Sequence, residues 1–297
     1  MQMKIDTLEN CPACLSKQVQ KYTDIQDFYF SKEIFEINTC RNCGLKFTQN
    51  RPSESEIGKY YDSENYASHD SEKEKSLFSL IYKIARNFML DQKFKLVRQF
   101  KPEWKKVLDY GTGEGYLTEY LIKKGKDAEG IEPSNLAREN FFKRTGKHLY
   151  PNLQELPSEK KFDVISLWHV LEHIHQLHPT IDHLISHMEK TGILVIAVPN
   201  QKSKDCAEFG NYWAAWDVPR HLYHWNIESL SKFFNQKGLK KIYTSQLPLD
   251  PFYIGIVSAK YMQKSPLEGL IKGFQSYFHG RNYPEQGSTL LTIWMKS

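Results

Sequence analysis

The chain has 297 residues, 40% of them apolar and 25% charged, with a formal net charge of +5. That length carries one large domain, or one with a small appendage, and the composition suits a globular protein with a sizeable core rather than a disordered one. No stretch approaches the ~18 apolar residues of a membrane helix, and MQMKIDTLEN at the start has no apolar signal core, so a cytoplasmic protein with reduced thiols is expected. The mild positive charge suits an anionic small molecule and does not demand nucleic acid.

Four of the five cysteines are paired, as Cys11-x-x-Cys14 and Cys40-x-x-Cys43. A C-x-x-C turn aims two thiolates at one ion, and two such turns complete a tetrahedron. The alternative, a set of reduced core cysteines, seldom places two such pairs near one terminus. All four positions being cysteine leaves no place for water, so the ion is read as a structural zinc. FYFSKEIFEINT (28–39) has the aromatic and β-branched content of a hairpin between the knuckles. Residues 1–60, the expected zinc-ribbon-like domain, carry eight Lys/Arg and eight Asp/Glu. A phosphate-binding module needs a cationic surplus, so nucleic acid is not the expected partner. YYDSENYASH (60–69) follows, with Tyr66 a candidate substrate contact. Then come the charged run SEKEK (71–75) and an amphipathic helix around 76–100, stopped before Pro102. Residues 61–100 are thus a linker and a helix.

KVLDYGTGEGYLTEYLIKKG (106–125) reads as a short apolar strand ending in Asp109, then Gly111, Gly113 and Gly115, then a helix from Tyr116. Glycines let the backbone turn sharply and approach a ligand. A dinucleotide loop would read G-x-G-x-x-G. Here the pattern is D-x-G-x-G-x-G; its acid would repel a pyrophosphate and attract an ammonium. DAEGIEPS (127–134) is a second strand ending in Glu132. An acid there either accepts hydrogen bonds from ribose hydroxyls or sits at a helix N-terminus before Pro133. Strands at Val164 to Leu167 and Ile193 to Val198 continue an alternation typical of a parallel sheet. LKKIYTSQL (239–247) and STLLTIWMKS (288–297) suit a final antiparallel pair.

The D-x-G-x-G, I-E-P, F-D-V-I and L-E-H-I segments resemble class I S-adenosylmethionine-dependent methyltransferases over roughly 75–297. The resemblance implies an α/β, Rossmann-like fold with a seven-stranded sheet over 101–297, a lid and acceptor segment at 201–226 and a helical insertion at 260–285. It implies that Asp109, Tyr110, Gly111, Gly113 and Gly115 hold the methionine portion of S-adenosylmethionine. Glu132 and Pro133 would meet the ribose, Leu153 and Gln154 the adenine. Trp168 and His169 would lie beside the methionine portion.

HVLEH (169–173) has the H-x-x-E-H form of an inverted zinc-peptidase motif. No matching third ligand follows among His175, His178, His183 and His187. The stretch is therefore read as the shoulder after the fourth strand, with Glu172 and His173 on the turn. NYWAAWDVPRHLYHW (211–225) gathers aromatic rings, an arginine and two histidines. Rings stack on sugars or bases, a guanidinium holds phosphate or carboxylate, and a histidine is the natural base. Asn200, Trp213, Trp216, Arg220, Tyr223 and His224 are candidate substrate residues; the alternative is a packed lid in which Asp217 pairs with Arg220. HLYHW resembles a motif of carbohydrate-biosynthesis methyltransferases that also carry a cysteine-rich zinc domain. By that resemblance His221 is the catalytic base and the acceptor a small molecule, a nucleotide sugar or other carbohydrate precursor. Those enzymes have a further carboxy-terminal domain, and none is expected within these 297 residues. Competing readings are an RNA methyltransferase guided by the ribbon and a non-enzymatic zinc and S-adenosylmethionine-fold binding protein.

Overall fold

The computed structural model describes residues 4–61 and 77–297. Tyr66, the tyrosine-rich stretch beyond Tyr61 and the SEKEK run lie outside the described residues. In chain order the strands are β1 (Ile5–Asp6), β2 (Val19–Gln26), β3 (Ile34–Cys40), β4 (Lys46–Thr48), β5 (Arg51–Pro52), β6 (Lys106–Tyr110), β7 (Asp127–Ile131), β8 (Phe162–Trp168), β9 (Met188–Pro199), β10 (Tyr223–His224), β11 (Leu239–Ser245) and β12 (Thr289–Lys296). The α-helices are α1 (Leu77–Phe100), α2 (Tyr116–Lys123), α3 (Asn135–Thr145), α4 (Leu177–Ser186), α5 (Lys204–Phe209), α6 (Ile227–Gln236), α7 (Asp250–Tyr261) and α8 (Pro266–Asn282). The chain divides into two compact units, one of Met1–Tyr61, His169–Ile181 and Ile196–Ser297, the other of Asp62–Trp168 and Asp182–Val195.

In the second unit β6 lies between β7 and β8 and pairs in parallel with both. The central strands read as continuous apolar runs, as a sheet covered on both faces requires. Val107, Leu108, Val164, Ile165 and Leu167 are all buried. The six-stranded sheet has the order β11-β12-β9-β8-β6-β7. The expected α/β architecture is therefore the one found. Where a seventh strand was expected beyond β7, the chain makes only a single parallel bridge, Ile131 to Tyr150.

In the first unit β11 and β12 form the expected antiparallel pair, with a bulge between Lys241 and Tyr243. The ribbon sheet has the order β10-β4-β3-β2. Its fourth strand is Tyr223–His224, so the 1–60 segment shares a sheet with the segment expected to meet the acceptor. The hairpin between the knuckles exists, but Phe28–Phe30 form its turn rather than a strand. Asp27 gathers the N–H groups of Tyr29, Phe30 and Ser31 on its carboxylate, and that local cap overrides the β-propensity of the aromatic residues.

The expected helical insertion is α8, and it is preceded by α7, which sequence reading missed. Pro251 in the first turn of α7 resembles a breaker in sequence but fits there, since a first-turn N–H needs no partner. A methyl group at Gly255 would sit 2.4 Å from the Gly269 carbonyl oxygen, so glycine lets the two helix backbones touch.

Candidate functional site

The four paired cysteines converge. Cys11 and Cys43 Sγ lie 3.6 Å apart, as do Cys14 and Cys40, and all four sulfurs fall within 4.8 Å of one another. Zinc–sulfur bonds of about 2.3 Å arranged tetrahedrally have S···S edges of about 3.8 Å, so the donor set fits the ion. Both knuckles turn the same way: Leu15 (φ 60°) and Gly44 (φ 75°) are left-handed. Their N–H groups each return 2.9 Å to the carbonyl of the first cysteine of the pair. A hydrogen bond from Cys43, opposed by burial, draws the Cys11 thiol down to about 5, and the same bond pushes Cys43 up.

In the second unit, the loop after β6 places Gly111, Gly113 and Gly115 at φ 72°, 55° and 72°. A methyl on Gly115 would meet Phe141 at 2.4 Å, whereas one on Gly113 would meet nothing within 4 Å. Gly115 is thus required by packing against α3, while Gly113 leaves open space. Asp109 is buried and accepts a 2.7 Å hydrogen bond from Ser166, a partner that sequence reading missed. Burial pushes its carboxyl up to about 6, against the lowering effects of Ser166 and Lys93. Glu132 accepts from Gly113 N at 2.8 Å and Ser134 N at 2.9 Å, one on each oxygen. Both oxygens keep a further lone pair. Burial also raises this carboxyl.

Among the described residues the buried indole N–H of Trp168 has no hydrogen-bond partner, and Lys93 Nζ lies 4.3 Å from the ring centroid. An orphaned donor, a desolvated carboxyl and an open glycine fit a polar ligand with a cationic group and hydroxyls. Tyr110 is half-buried, Leu153 buried, and Pro133 and Gln154 exposed.

The H-x-x-E-H stretch in the first unit is not helical at its start. His169 is left-handed (φ 57°), and Leu171–His173 form a single 3₁₀ turn. The two histidines therefore do not share a helix face. His169 Nε2 meets Asp250 Oδ2 at 3.0 Å, and its Nδ1 lies 3.5 Å from Glu172 Oε1. Burial pulls this imidazole down, but Asp250 and Glu172 outweigh it and hold it up at about 10. His169, expected beside the cofactor, presents both ring nitrogens to carboxylates.

His173 faces the other way, with its ring centroid 4.7 Å from that of His221. Its Nδ1–H donates to the Arg220 carbonyl at 2.9 Å, with the Tyr61 hydroxyl 3.0 Å away. Burial, with the neighbouring His221, lowers it to about 4. His221 Nδ1–H donates to the Ala215 carbonyl at 2.9 Å, and its Nε2 lies 3.8 Å from Asp217. Both rings are thus held as the tautomer whose lone pair is on Nε2.

The remaining acceptor candidates require correction. Asn200, Trp213, Trp216, Arg220, Tyr223 and His224 are each at most 3% exposed. Asn200 donates to the Glu285 and Gly287 carbonyls, and Trp213 and Trp216 donate to Asp205 and the Gly210 carbonyl. The Tyr223 hydroxyl donates to the Ile174 carbonyl. His224 is neutral through burial, its ring nitrogen 3.4 Å from Thr48. The Arg220 guanidinium meets Asp217 at 2.7 Å as the packed-lid reading expected, but also Asp27 at 2.9 Å and the Tyr60 carbonyl at 3.1 Å. These polar groups are spent inside the fold, so the six residues are framework. Three of them, Trp213, Trp216 and Arg220, also border a small cleft with Phe28, Tyr29 and Tyr261. Cys206 is buried in the same apolar cluster, its thiol raised to about 12, so it is no nucleophile.

Residues 82–244 match the family described as a methyltransferase domain, which is more than half of the chain. A ubiquinone biosynthesis O-methyltransferase of Rickettsia typhi is 26% identical over 148 residues, covering 46% of this chain and 57% of that protein. The chain thus spans little more than half the length of the curated relatives it matches. Among solved structures, the magnesium protoporphyrin IX methyltransferase of Synechocystis PCC 6803 with bound S-adenosylhomocysteine aligns with TM-score 0.52 at 14% identity, over 81% of this chain and 98% of that one. The 1,6-didemethyltoxoflavin-N1-methyltransferase of Burkholderia thailandensis gives TM-score 0.52 at 13% identity, over 91% and 98%. At such identities these two show a shared fold. No helix among the described residues is long and apolar enough to cross a membrane.

Proposed function

This chain belongs to the methyltransferase-domain family, and from that premise we propose that it moves a methyl group from S-adenosylmethionine to a small-molecule acceptor, with a nucleotide sugar or related carbohydrate precursor as the substrate class. The observation that carries the reading is the buried Asp109 carboxyl beside three left-handed glycines and Glu132. When bound, S-adenosylmethionine supplies a methyl already activated on a sulfonium. Asp109 pairs with the ammonium of its amino-acid portion, which returns to that carboxyl the charge that burial disfavours. Glu132 accepts ribose hydroxyls on its remaining lone pairs. The Trp168 N–H donates to the ligand, and Leu153 and Gln154 flank the adenine.

His221 takes the proton from the acceptor. Its Nδ1–H is fixed on a backbone carbonyl, so the Nε2 lone pair is available. Asp217, 3.8 Å from Nε2, stabilises the imidazolium that forms. A positioned base of this kind adds roughly 10²–10⁴-fold. The carbohydrate class rests on HLYHW and the cysteine ribbon, and the net charge of +5 suits a phosphorylated acceptor.

The test is release of S-adenosylhomocysteine on incubation with S-adenosylmethionine and a panel of nucleotide sugars. One or more should turn over, and His221→Ala and His221→Gln should lower kcat about 10²–10⁴-fold with cofactor affinity unchanged. Silence across the panel, with cofactor bound, would overturn the acceptor class. Unchanged turnover in both variants would remove His221 as base.

A further inference from the structure

We propose that Glu172, His173 and His221 form a second binding site, for a divalent transition-metal cation, separate from the four cysteines. One oxygen of Glu172 and one ring nitrogen of each histidine lie within 4.8 Å of one another. That is the spacing at which three ligands can share one ion. A carboxylate and two imidazoles are the donor set that holds zinc with an open fourth position, or iron with several.

Two further observations point to a ligand. Glu172 is completely buried, yet among the described residues neither of its carboxylate oxygens has a hydrogen-bond partner. A buried carboxylate without hydrogen bonds costs several kcal/mol unless cations compensate it; the His169 imidazole, which is shared with Asp250, makes one ion pair with Oε1 at 3.5 Å, and among the described residues no ion pair reaches Oε2. The second observation is the orientation of the rings. Both donate Nδ1–H to backbone carbonyls, of Arg220 and of Ala215. Metal-bound histidines are held by this outer contact, which fixes the tautomer with Nε2 unprotonated.

The H-x-x-E-H stretch thus supplies two ligands after all, its glutamate and its second histidine. The third arrives from 48 residues downstream in place of His169. A peptidase site would instead use both histidines of the motif. An Nε2 that holds a cation cannot accept a proton, so cation binding and the base role of His221 compete. The two are read by different measurements: metal stoichiometry reports the cation site whether or not the turnover assay succeeds.

The test is zinc stoichiometry of the full chain at buffered micromolar free Zn²⁺, with Co²⁺ absorption as a second reading. The wild type should take up two ions. Glu172→Gln and His173→Ala should each retain one, with near-ultraviolet circular dichroism showing a preserved fold. In the wild type the second equivalent of Co²⁺ should add weak d–d bands without thiolate charge transfer. A wild type that stops at one ion would overturn the proposal. So would variants that keep two, or a second equivalent that shows thiolate charge transfer.

Discussion

Replacing Asp109 by asparagine should make the cofactor-free protein more stable and the cofactor weaker. The carboxyl is buried, and its pKa stands at about 6 against 3.8 for a free side chain. A shift of just over two units is worth about 3 kcal/mol at 1.36 kcal/mol per unit. The folded-state pKa is raised, so the protonated form is the stabilised one. That stability is complete below about pH 4 and lost as pH rises through about 6. Asparagine keeps an oxygen to accept from Ser166 and has no charge to desolvate. Urea denaturation should therefore show Asp109→Asn gaining about 3 kcal/mol at pH 8, shrinking to below about 1 kcal/mol at pH 4. Titration with S-adenosylhomocysteine should show the opposite sign, at least about tenfold weaker binding, because the ammonium loses its counter-ion. An equal gain at both pH values would refute the desolvation argument. A stabilised variant with unchanged affinity would refute the cofactor role.

Two further substitutions separate packing from ligand binding. Gly115→Ala puts a methyl 2.4 Å from Phe141 in a left-handed backbone, and should destabilise by about 2 kcal/mol or more by thermal melt. Gly113→Ala meets no neighbour within 4 Å and should cost only about 1 kcal/mol, yet still lower cofactor affinity. Cys40→Ser should remove the zinc held by the ribbon and lower Tm, while cofactor binding persists; zinc retained at wild-type stoichiometry would remove Cys40 as a ligand.

The parts legible in the sequence were those written locally. The two C-x-x-C pairs, the acid and glycines after β6, and the apolar runs of β8 and β9 are each contained within a few residues. What sequence did not reveal depends on partners far along the chain. Arg220 looked like a substrate fork because its buried partner, Asp27, lies 193 residues away. The tryptophans and Tyr223 looked like a stacking platform, but β10 joins the ribbon sheet and carries them inside. The H-x-x-E-H spacing resembles a helical histidine pair, but strand order made it a shoulder with Glu172 and His173 on a turn, and Leu171–His173 form a 3₁₀ turn after the left-handed His169. Glu172 was visible as a residue of the shoulder, but its approach to within 4.8 Å of a His221 ring nitrogen is tertiary and has no local signal.

Binding of S-adenosylhomocysteine to the purified full chain, measured by isothermal titration calorimetry, tests the central claim most directly. The expected result is saturable binding of one molecule per chain, weakened at least about tenfold (about 1.4 kcal/mol) by Glu132→Gln. No heat of binding at millimolar ligand, or affinity indifferent to Glu132, would contradict the assignment of the β6 loop and Glu132 as the cofactor cradle.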